Sequence, residues 1–214
     1  PYKLHLQREE NNNLTVPENE MQKFSEYKNR IVNSFKIGNE LHESSGLTNL
    51  TSNMYDIYDE NGTVYIVSSY VEGSNLEEIT LGELSSAIRV VLSVAKCIEK
   101  IHNRGYLYLD IKPENIFVFE ETYDIVNLFD FDSVIPMNCK DEMTDYMLSY
   151  SMGFAPIEQK KGKLSQIGPY TDVYSLGALM FFLIFGKTPK PLDCGYDAEY
   201  DYGRMVFGSS HQNK

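Results

Sequence analysis

A long helical pattern that ends in front of a polar loop is the feature that most constrains the fold of this chain. Apolar residues recur at intervals of three and four over residues 83–103, which predicts one amphipathic helix. Arg104 and Gly105 follow, and a cation followed by glycine is typical of a helix C-terminus. Short apolar runs at 115–119 and 125–129 indicate a small hairpin. We therefore expect a helix, a polar loop and a hairpin in this order.

The residues before Gly73 predict a different arrangement, in which strands alternate with one helix. The Asn-Gly pair at 61–62 is typical of a tight turn between two antiparallel strands. The elements expected here are a strand over 2–7, a polar loop over 8–20, a helix over 24–43, and strands over 53–58 and 64–70.

The C-terminal half predicts a long irregular segment over 132–170, an apolar helix over 172–185 and a poorly packed tail from Lys187. Its longest apolar run, residues 177–185, is about half of the ~20 residues that span a bilayer. We therefore expect a buried helix and no membrane segment within this chain. The expected fold class is α+β, with a small β-containing part to residue 70 and a mainly helical part after it.

The net charge limits the classes of partner, and the cysteine content indicates the cellular compartment. The net charge is −12, from 31 acidic and 19 basic residues, which disfavours nucleic acid and anionic membranes as partners. The three cysteines form no C-x-x-C pair and indicate neither a zinc site nor a disulfide framework. This usage is typical of a reducing compartment, so we expect a cytoplasmic protein.

Four polar residues have the types and spacing that phosphoryl transfer needs. Asp110, Lys112 and Asn115 lie in one loop, and Asp130 follows an apolar strand. Transfer from ATP requires a carboxylate to orient the attacking hydroxyl, a cation near the phosphate and hard oxygen ligands for Mg²⁺. The pattern predicts a protein that uses ATP and magnesium.

At these residues the sequence resembles the protein kinase family, in its serine/threonine branch and of bacterial appearance. Residues 108–115, Tyr-Leu-Asp-Ile-Lys-Pro-Glu-Asn, match the catalytic loop His-Arg-Asp followed by Leu-Lys-Pro-Glu-Asn. Residues 130–132 match the Asp-Phe-Gly motif, and 153–158 match the Ala-Pro-Glu segment. Residues 172–177 match the start of the family's large buried helix, which implies that Asp172 hydrogen-bonds the backbone of the catalytic loop. The order and spacing of the four segments agree with the family.

The resemblance implies a two-lobed kinase-like fold. It assigns residues 1–70 to a partial, β-containing N-lobe and residues 71–214 to a partial, mainly helical C-lobe. We expect both ends of the usual domain to be cut off, because the glycine-rich loop and the later helices of the family find no match. The implied reaction is transfer of the ATP γ-phosphate to a serine or threonine hydroxyl of a protein substrate.

The resemblance also implies roles for the loop residues. Asp110 would accept or orient the substrate hydroxyl proton, and Lys112 would stabilise the γ-phosphate. Asn115 and Asp130 would hold magnesium. Ser151 resembles the threonine of the segment that recognises the acceptor residue, with a simple loop serine as the alternative.

Upstream, the resemblance implies a nucleotide site. Backbone groups at Ser69 and Val71 would grip adenine, and Lys3 would contact the α- and β-phosphates. Glu40 is the expected helical partner of Lys3, and Glu26, on the same stripe of the helix, is the alternative.

Three departures from the family leave other functions open. Tyr108 replaces histidine, Leu109 replaces the arginine that reads activation-loop phosphorylation in many relatives, and Asp132 replaces glycine. The unmatched glycine-rich loop, Leu109 and Asp132 favour the alternative of a pseudokinase, a nucleotide-binding or scaffold module without turnover. The presence of Asp110, Lys112, Asn115 and Asp130 opposes it. A small-molecule kinase is a third hypothesis, disfavoured by the segment at 153–158.

Overall fold

The computed structural model describes residues 6–44, 52–119, 122–138 and 150–189, which form helices and small antiparallel sheets. These elements confirm the expected α+β class. The chain divides into two compact units. The first comprises Pro1–Val71 with Asp130–Asp132, and the second comprises Glu72–Phe129 with Ser133–Lys214. The expected division into a partial N-lobe over 1–70 and a partial C-lobe over 71–214 stays a prediction.

The first unit consists of one long helix and two strand pairs. Its elements are β1 (Gln7–Arg8), β2 (Leu14–Thr15), a 3₁₀ turn (Glu18–Glu20), α1 (Met21–Ser44), β3 (Met54–Glu60) and β4 (Thr63–Ser68). β1 pairs with β2, and β3 with β4, both antiparallel. The polar segment 8–20, expected to be a loop, therefore contains most of a short hairpin. Residues 2–5 of the strand expected over 2–7 lie outside the described residues.

The β3–β4 turn confirms the Asn-Gly signal in the sequence. Asn61 and Gly62 have φ angles of 52° and 72°, the left-handed pair that a two-residue hairpin turn requires. The Leu14 N–H donates to the Asn61 carbonyl at 2.9 Å, which attaches the β1–β2 hairpin to this turn.

Helix α1 packs against β3 and β4 through an apolar stripe. Phe24 and Leu41 are buried at its two ends, and Glu40 next to Leu41 faces outward. Lys28 forms an ion pair with Asp59 of β3 at 2.9 Å. Because the Asp59 carboxylate is mostly exposed, this pair contributes at most about 1 kcal/mol. Burial of the helix stripe is therefore the main attachment of α1 to the sheet.

The second unit is mainly helical and carries several short strands. Its helices are α2 (Leu84–Asn103), α3 (Ile157–Lys160) and α4 (Pro169–Phe185). Its strands are β5 (Ser74–Asn75), β6 (Tyr106–Leu107), β7 (Ile116–Val118), β8 (Val126–Leu128) and β9 (Ile135–Pro136). Two sheets form, ordered β5-β7-β8 and β6-β9, with antiparallel pairing. The hairpin expected at 115–129 is confirmed as β7 and β8.

Part of the segment expected to be irregular has regular structure. β9, α3 and a 3₁₀ turn (Leu164–Gln166) lie within residues 132–170. Their brevity left no periodic signal in the sequence, since an element of two to four residues has too few positions for an apolar pattern to recur. Residues 139–149 of this segment, and the tail from residue 190, lie outside the described residues.

Helices α2 and α4 pack against each other and form the core of the second unit. Val90, Val94, Ile98 and Ile101 on α2, and Leu179 on α4, are each at most 2% exposed. Glycines end both helices in left-handed conformations, Gly105 after α2 and Gly186 after α4, as the sequence indicates for α2. Hydrogen bonds from the Tyr108 and Leu109 N–H groups to Asp172 then hold the chain just after β6 at the first turn of α4.

No helix in the described ranges combines the length and hydrophobicity that a bilayer crossing requires.

Candidate active site

The catalytic loop, residues 108–115, joins β6 to β7 and is held in the interior of the second unit. The residues from Leu107 to Ile111 are all buried, and a 3₁₀ turn (Pro113–Asn115) leads directly into β7. Leu107 and Leu109 pack with Ile135 and Ile167 in one apolar cluster. These apolar contacts therefore fix the backbone of the loop, which also carries the polar side chains of Asp110, Lys112 and Asn115.

Asp110 is the centre of this polar group, and its carboxylate is 7% exposed. Its Oδ2 lies 2.8 Å from the Lys112 ammonium and accepts a 2.8 Å hydrogen bond from Asn115 Nδ2. Its Oδ1 accepts a 2.7 Å hydrogen bond from the Ser151 hydroxyl. A carboxylate oxygen has two lone pairs, so within the described part of the chain Oδ1 retains one for a further donor. The structure thus brings together Asp110, Lys112 and Asn115, three residues expected from the sequence.

Asn115 is oriented by two hydrogen bonds from the same nitrogen. Its Nδ2 donates to the Asp110 backbone carbonyl at 3.0 Å as well as to the carboxylate. Both bonds use the amide nitrogen, so Oδ1 faces away from Asp110 and is the atom that a cation could take. An amide oxygen is a hard ligand of the kind that Mg²⁺ prefers. The chemistry of Asn115 therefore fits a magnesium ligand.

Ser151 occupies the position between the charged groups of the loop. Its hydroxyl donates to Asp110 and accepts a 3.2 Å hydrogen bond from Lys112 Nζ. The sequence left open whether Ser151 is a simple loop serine. These two contacts instead link the segment that contains Ser151 to the catalytic loop.

Asp172, in the first turn of α4, holds the backbone that precedes Asp110. It is fully buried, and its carboxylate accepts the Tyr108 N–H at 3.0 Å and the Leu109 N–H at 2.7 Å. His102 Nε2, near the end of α2, lies 2.7 Å from the same carboxylate. Backbone contact by Asp172 was implied by the family resemblance. The contact with His102 was not anticipated, because 70 residues separate the two positions.

Gln159 is the other residue of the site that sequence reasoning missed. Its Nε2 donates a 2.6 Å hydrogen bond to the Leu109 carbonyl, and the side chain is 1% exposed. Its position one residue after Glu158, at the end of the segment matched to the family, was the available signal. A single glutamine carries no pattern that would indicate burial.

Tyr108 connects the catalytic loop to the end of β8. Its hydroxyl donates to the Phe129 carbonyl, and the Phe129 N–H donates to the Asn115 carbonyl at 2.9 Å. The residue that replaces the family's histidine is therefore fully buried and hydrogen-bonded. Asp130 follows Phe129 with a left-handed φ of 58°, and its Oδ1 accepts the Asp132 N–H at 3.3 Å. Asp130 as a magnesium ligand stays a prediction.

The expected nucleotide contacts lie in the first unit and stay predictions. The Ser69 N–H donates to the Asn53 carbonyl at 2.8 Å, so the carbonyl is the backbone group of Ser69 that a base could use. Val71 is half-buried at the end of the unit. Glu40 is exposed on α1, whereas its expected partner Lys3 lies outside the described residues.

Comparison with known proteins agrees with this fold. The family model of the protein kinase domain matches residues 7–204. A probable serine/threonine-protein kinase of Clostridium perfringens is 33% identical over 175 residues, which cover 77% of this chain and 24% of that protein. Serine/threonine-protein kinase F of Synechocystis sp. is 33% identical over 146 residues, 64% of this chain and 28% of that protein. Serine/threonine-protein kinase B of the same organism is 28% identical over 174 residues, 73% and 29% respectively.

The candidate site is a buried aspartate held by lysine, asparagine and serine, on a loop between a long helix and a short hairpin. The chain belongs to the protein kinase family, as the resemblance of its motifs predicted, and these bacterial relatives are named as serine/threonine-protein kinases. It spans about a quarter of the length of these relatives.

Proposed function

We propose that this protein is an ATP- and magnesium-dependent serine/threonine protein kinase that acts in the cytoplasm on a serine or threonine of a protein substrate. The observation that carries the proposal is the hydrogen-bonded group formed by Asp110, Lys112, Asn115 and Ser151. Membership of the protein kinase family and the names of the bacterial relatives support it.

Asp110 is proposed to bind and orient the attacking hydroxyl. Among the residues that the structure describes, Ser151 is the partner of its Oδ1, which leaves a lone pair that can accept the hydroxyl proton, while Lys112 and Asn115 hold the other oxygen. As the hydroxyl oxygen bonds to the γ-phosphorus and ADP departs, the proton passes to the Asp110 carboxylate. A fixed carboxylate raises the rate mainly by positioning the hydroxyl, since phosphoryl transfer needs little covalent help from the protein.

Lys112 is proposed to stabilise the charge that develops on the transferred phosphate. Its ammonium lies within 3.2 Å of both Asp110 and Ser151, and it is half-buried, where charges interact more strongly than in water. Two partners restrict the flexible side chain to a small range of positions.

Asn115 and Asp130 are proposed to hold magnesium, which would neutralise phosphate charge when bound. Asn115 offers Oδ1 and Asp130 a carboxylate, both hard oxygen ligands. Ser69 and Val71 are proposed to bind adenine through their backbone groups, and Lys3 with Glu40 to bind the α- and β-phosphates.

The proposal predicts that substitution Asp110→Asn abolishes phosphoryl transfer. We expect transfer of ³²P from [γ-³²P]ATP to a generic basic protein and to the chain itself in the wild type, with Mg²⁺ present. In the variant kcat should fall by at least about 100-fold, because asparagine cannot accept the proton. Thermal denaturation of both proteins would verify that the variant is folded.

The matched control is Asp124→Asn, an exposed aspartate in the turn before β8, which should retain wild-type activity. If the wild type and Asp110→Asn both transfer ³²P only at the background rate, the enzyme proposal is wrong. Nucleotide binding in that case, seen as a Mg-ATP-dependent rise in Tm, would favour the pseudokinase alternative.

A further inference from the structure

The backbone at Leu109 has an uncommon conformation directly before the proposed catalytic aspartate. Its φ is 63°, in the left-handed region that β- and γ-branched side chains rarely adopt, and the residue is 1% exposed. Because Asp110 is the next residue, the direction of its carboxylate depends on this conformation. Groups that hold the Leu109 backbone therefore also position Asp110.

Two side chains hold this backbone from opposite sides. Asp172 of α4 accepts the N–H groups of Tyr108 and Leu109, and Gln159 of α3 donates to the Leu109 carbonyl at 2.6 Å. Each backbone group of Leu109 thus has a buried side-chain partner. In the absence of a donor, a carbonyl in this interior position would be left without a hydrogen bond at a considerable cost.

Gln159 is chemically suited to this position. Its amide supplies a hydrogen-bond donor and carries no charge. A lysine or arginine in its place would add a further positive charge near the Asp110–Lys112 pair. The α3 helix that carries it begins six residues after Ser151 in the chain. One short stretch of chain therefore contacts the loop twice, through Ser151 at the Asp110 carboxylate and through Gln159 at the Leu109 carbonyl.

We infer that Gln159 is a positioning residue for Asp110: its hydrogen bond keeps Leu109 in the left-handed conformation that aims the carboxylate at the substrate hydroxyl. This inference rests on the proposed kinase function. Because Gln159 acts through the Leu109 backbone, its removal should affect the rate of the chemical step and leave the binding of ATP unchanged.

The test compares three single variants of the full chain. Gln159→Met keeps the length of the side chain and removes the donor, whereas Gln159→Asn keeps the amide but is one methylene too short to reach Leu109. Gln166→Met is the control, since Gln166 is an exposed glutamine in the same unit. We expect kcat to fall by between about 10- and 100-fold in both Gln159 variants, with the KM for ATP within two-fold of the wild type.

A purely structural role for Gln159 would give a different result. Loss of folded protein would lower the amount of active enzyme, so Tm and active-site titration are measured with each variant. If kcat per folded molecule stays within two-fold of the wild type in both Gln159 variants, or if Gln166→Met loses as much, the inference is wrong.

A second measurement separates this inference from the kinase proposal. Hydrogen exchange of the Leu109 and Tyr108 amides, read by NMR, does not require activity. We expect exchange at least about 10-fold faster in Gln159→Met than in the wild type and unchanged rates in Gln166→Met. If the wild type is inactive, so that the kinase proposal fails, accelerated exchange still supports Gln159 as the residue that fixes this backbone. Unchanged exchange overturns that assignment.

Discussion

Cys97 is one residue whose chemistry follows directly from its place in the fold. It lies on the buried face of α2, where burial raises the pKa of its thiol from 9.0 to about 11, opposed by the smaller effect of the positive charge of Lys100. The thiolate is the reactive form of cysteine. Cys97 should therefore be inert in the folded protein.

We predict that Cys97 reacts with iodoacetamide at pH 8 at least about 100-fold more slowly in the native state than in urea, because burial raises the pKa of its thiol to about 11. Cys139→Ser with Cys194→Ser leaves Cys97 as the single thiol for this measurement. Equal rates in the two states would contradict a buried, protonated thiol.

The same shift predicts a dependence of stability on pH. Because the pKa of the Cys97 thiol is higher in the folded protein than in the unfolded one, the protonated thiol stabilises the folded state. This contribution to the free energy of unfolding is complete below about pH 9 and is lost as the pH rises to about 11. Urea denaturation of the single-thiol protein and of its Cys97→Ala derivative should show a steeper decline for the former across this interval.

At the residue scale, sequence reasoning found the residues of the loop itself and missed two residues outside it that support the loop. Asp110, Lys112 and Asn115 were predicted because they lie within six positions of one another. Gln159 and His102 were missed because their contacts form only through tertiary packing. Gln159 lies 50 residues from Leu109 in the chain, and His102 lies 70 residues from Asp172. Spacing in the sequence reports only contacts that are local in the chain.

At the scale of elements, long periodic segments were predicted well and short ones were not. The helices expected over 83–103 and 24–43 are found within a few residues of these bounds, as Leu84–Asn103 and Met21–Ser44. β1, β2, β9 and α3 have two to four residues each and depend on their tertiary neighbours, so no local periodicity indicates them. Turn chemistry was a dependable guide where glycine adopts a left-handed conformation.

One such position predicts a large effect on stability. Gly73, directly before β5, has a φ of 127°, and a Cβ there would collide with the carbonyl oxygen of Val118. We expect Gly73→Ala to lower the free energy of unfolding by at least about 2 kcal/mol, because backbone strain and a clash with β7 add. Urea denaturation followed by circular dichroism measures the change.

Gly82→Ala is the matched control for this substitution. Gly82 lies before α2, has no left-handed φ, and has no neighbouring atom within 4 Å of the place that an alanine methyl would take. Its replacement should leave stability the same or raise it slightly, by up to about 1 kcal/mol. A similar loss in both variants would contradict the steric explanation for Gly73.

At the scale of the whole molecule, the acidic surplus is the dominant property. A net charge of −12 repels polyanions over distances that salt only partly screens. We predict no binding of a fluorescein-labelled duplex DNA or of phosphatidylserine vesicles at about 0.15 M salt, measured by anisotropy and by vesicle sedimentation. Binding that weakens steeply with added salt would reveal a basic surface and contradict the prediction.

The family membership of the whole chain was predictable from four short segments, because their order and spacing are jointly restrictive. The details that distinguish this chain within the family were less accessible. Tyr108 could be recognised as a substitution from the sequence, but its bond to the Phe129 carbonyl depends on the position of β8.

Leu109 carries a consequence for how the catalytic loop is controlled. The family resemblance implies that an arginine at this position reads activation-loop phosphorylation in many relatives, and leucine has no charge with which to bind a phosphate. Leu109 instead packs with Leu107, Ile135 and Ile167, which are present as soon as the chain folds. The loop is thus assembled by folding alone, and we expect control of this protein to act on access to the site and not on the assembly of the loop.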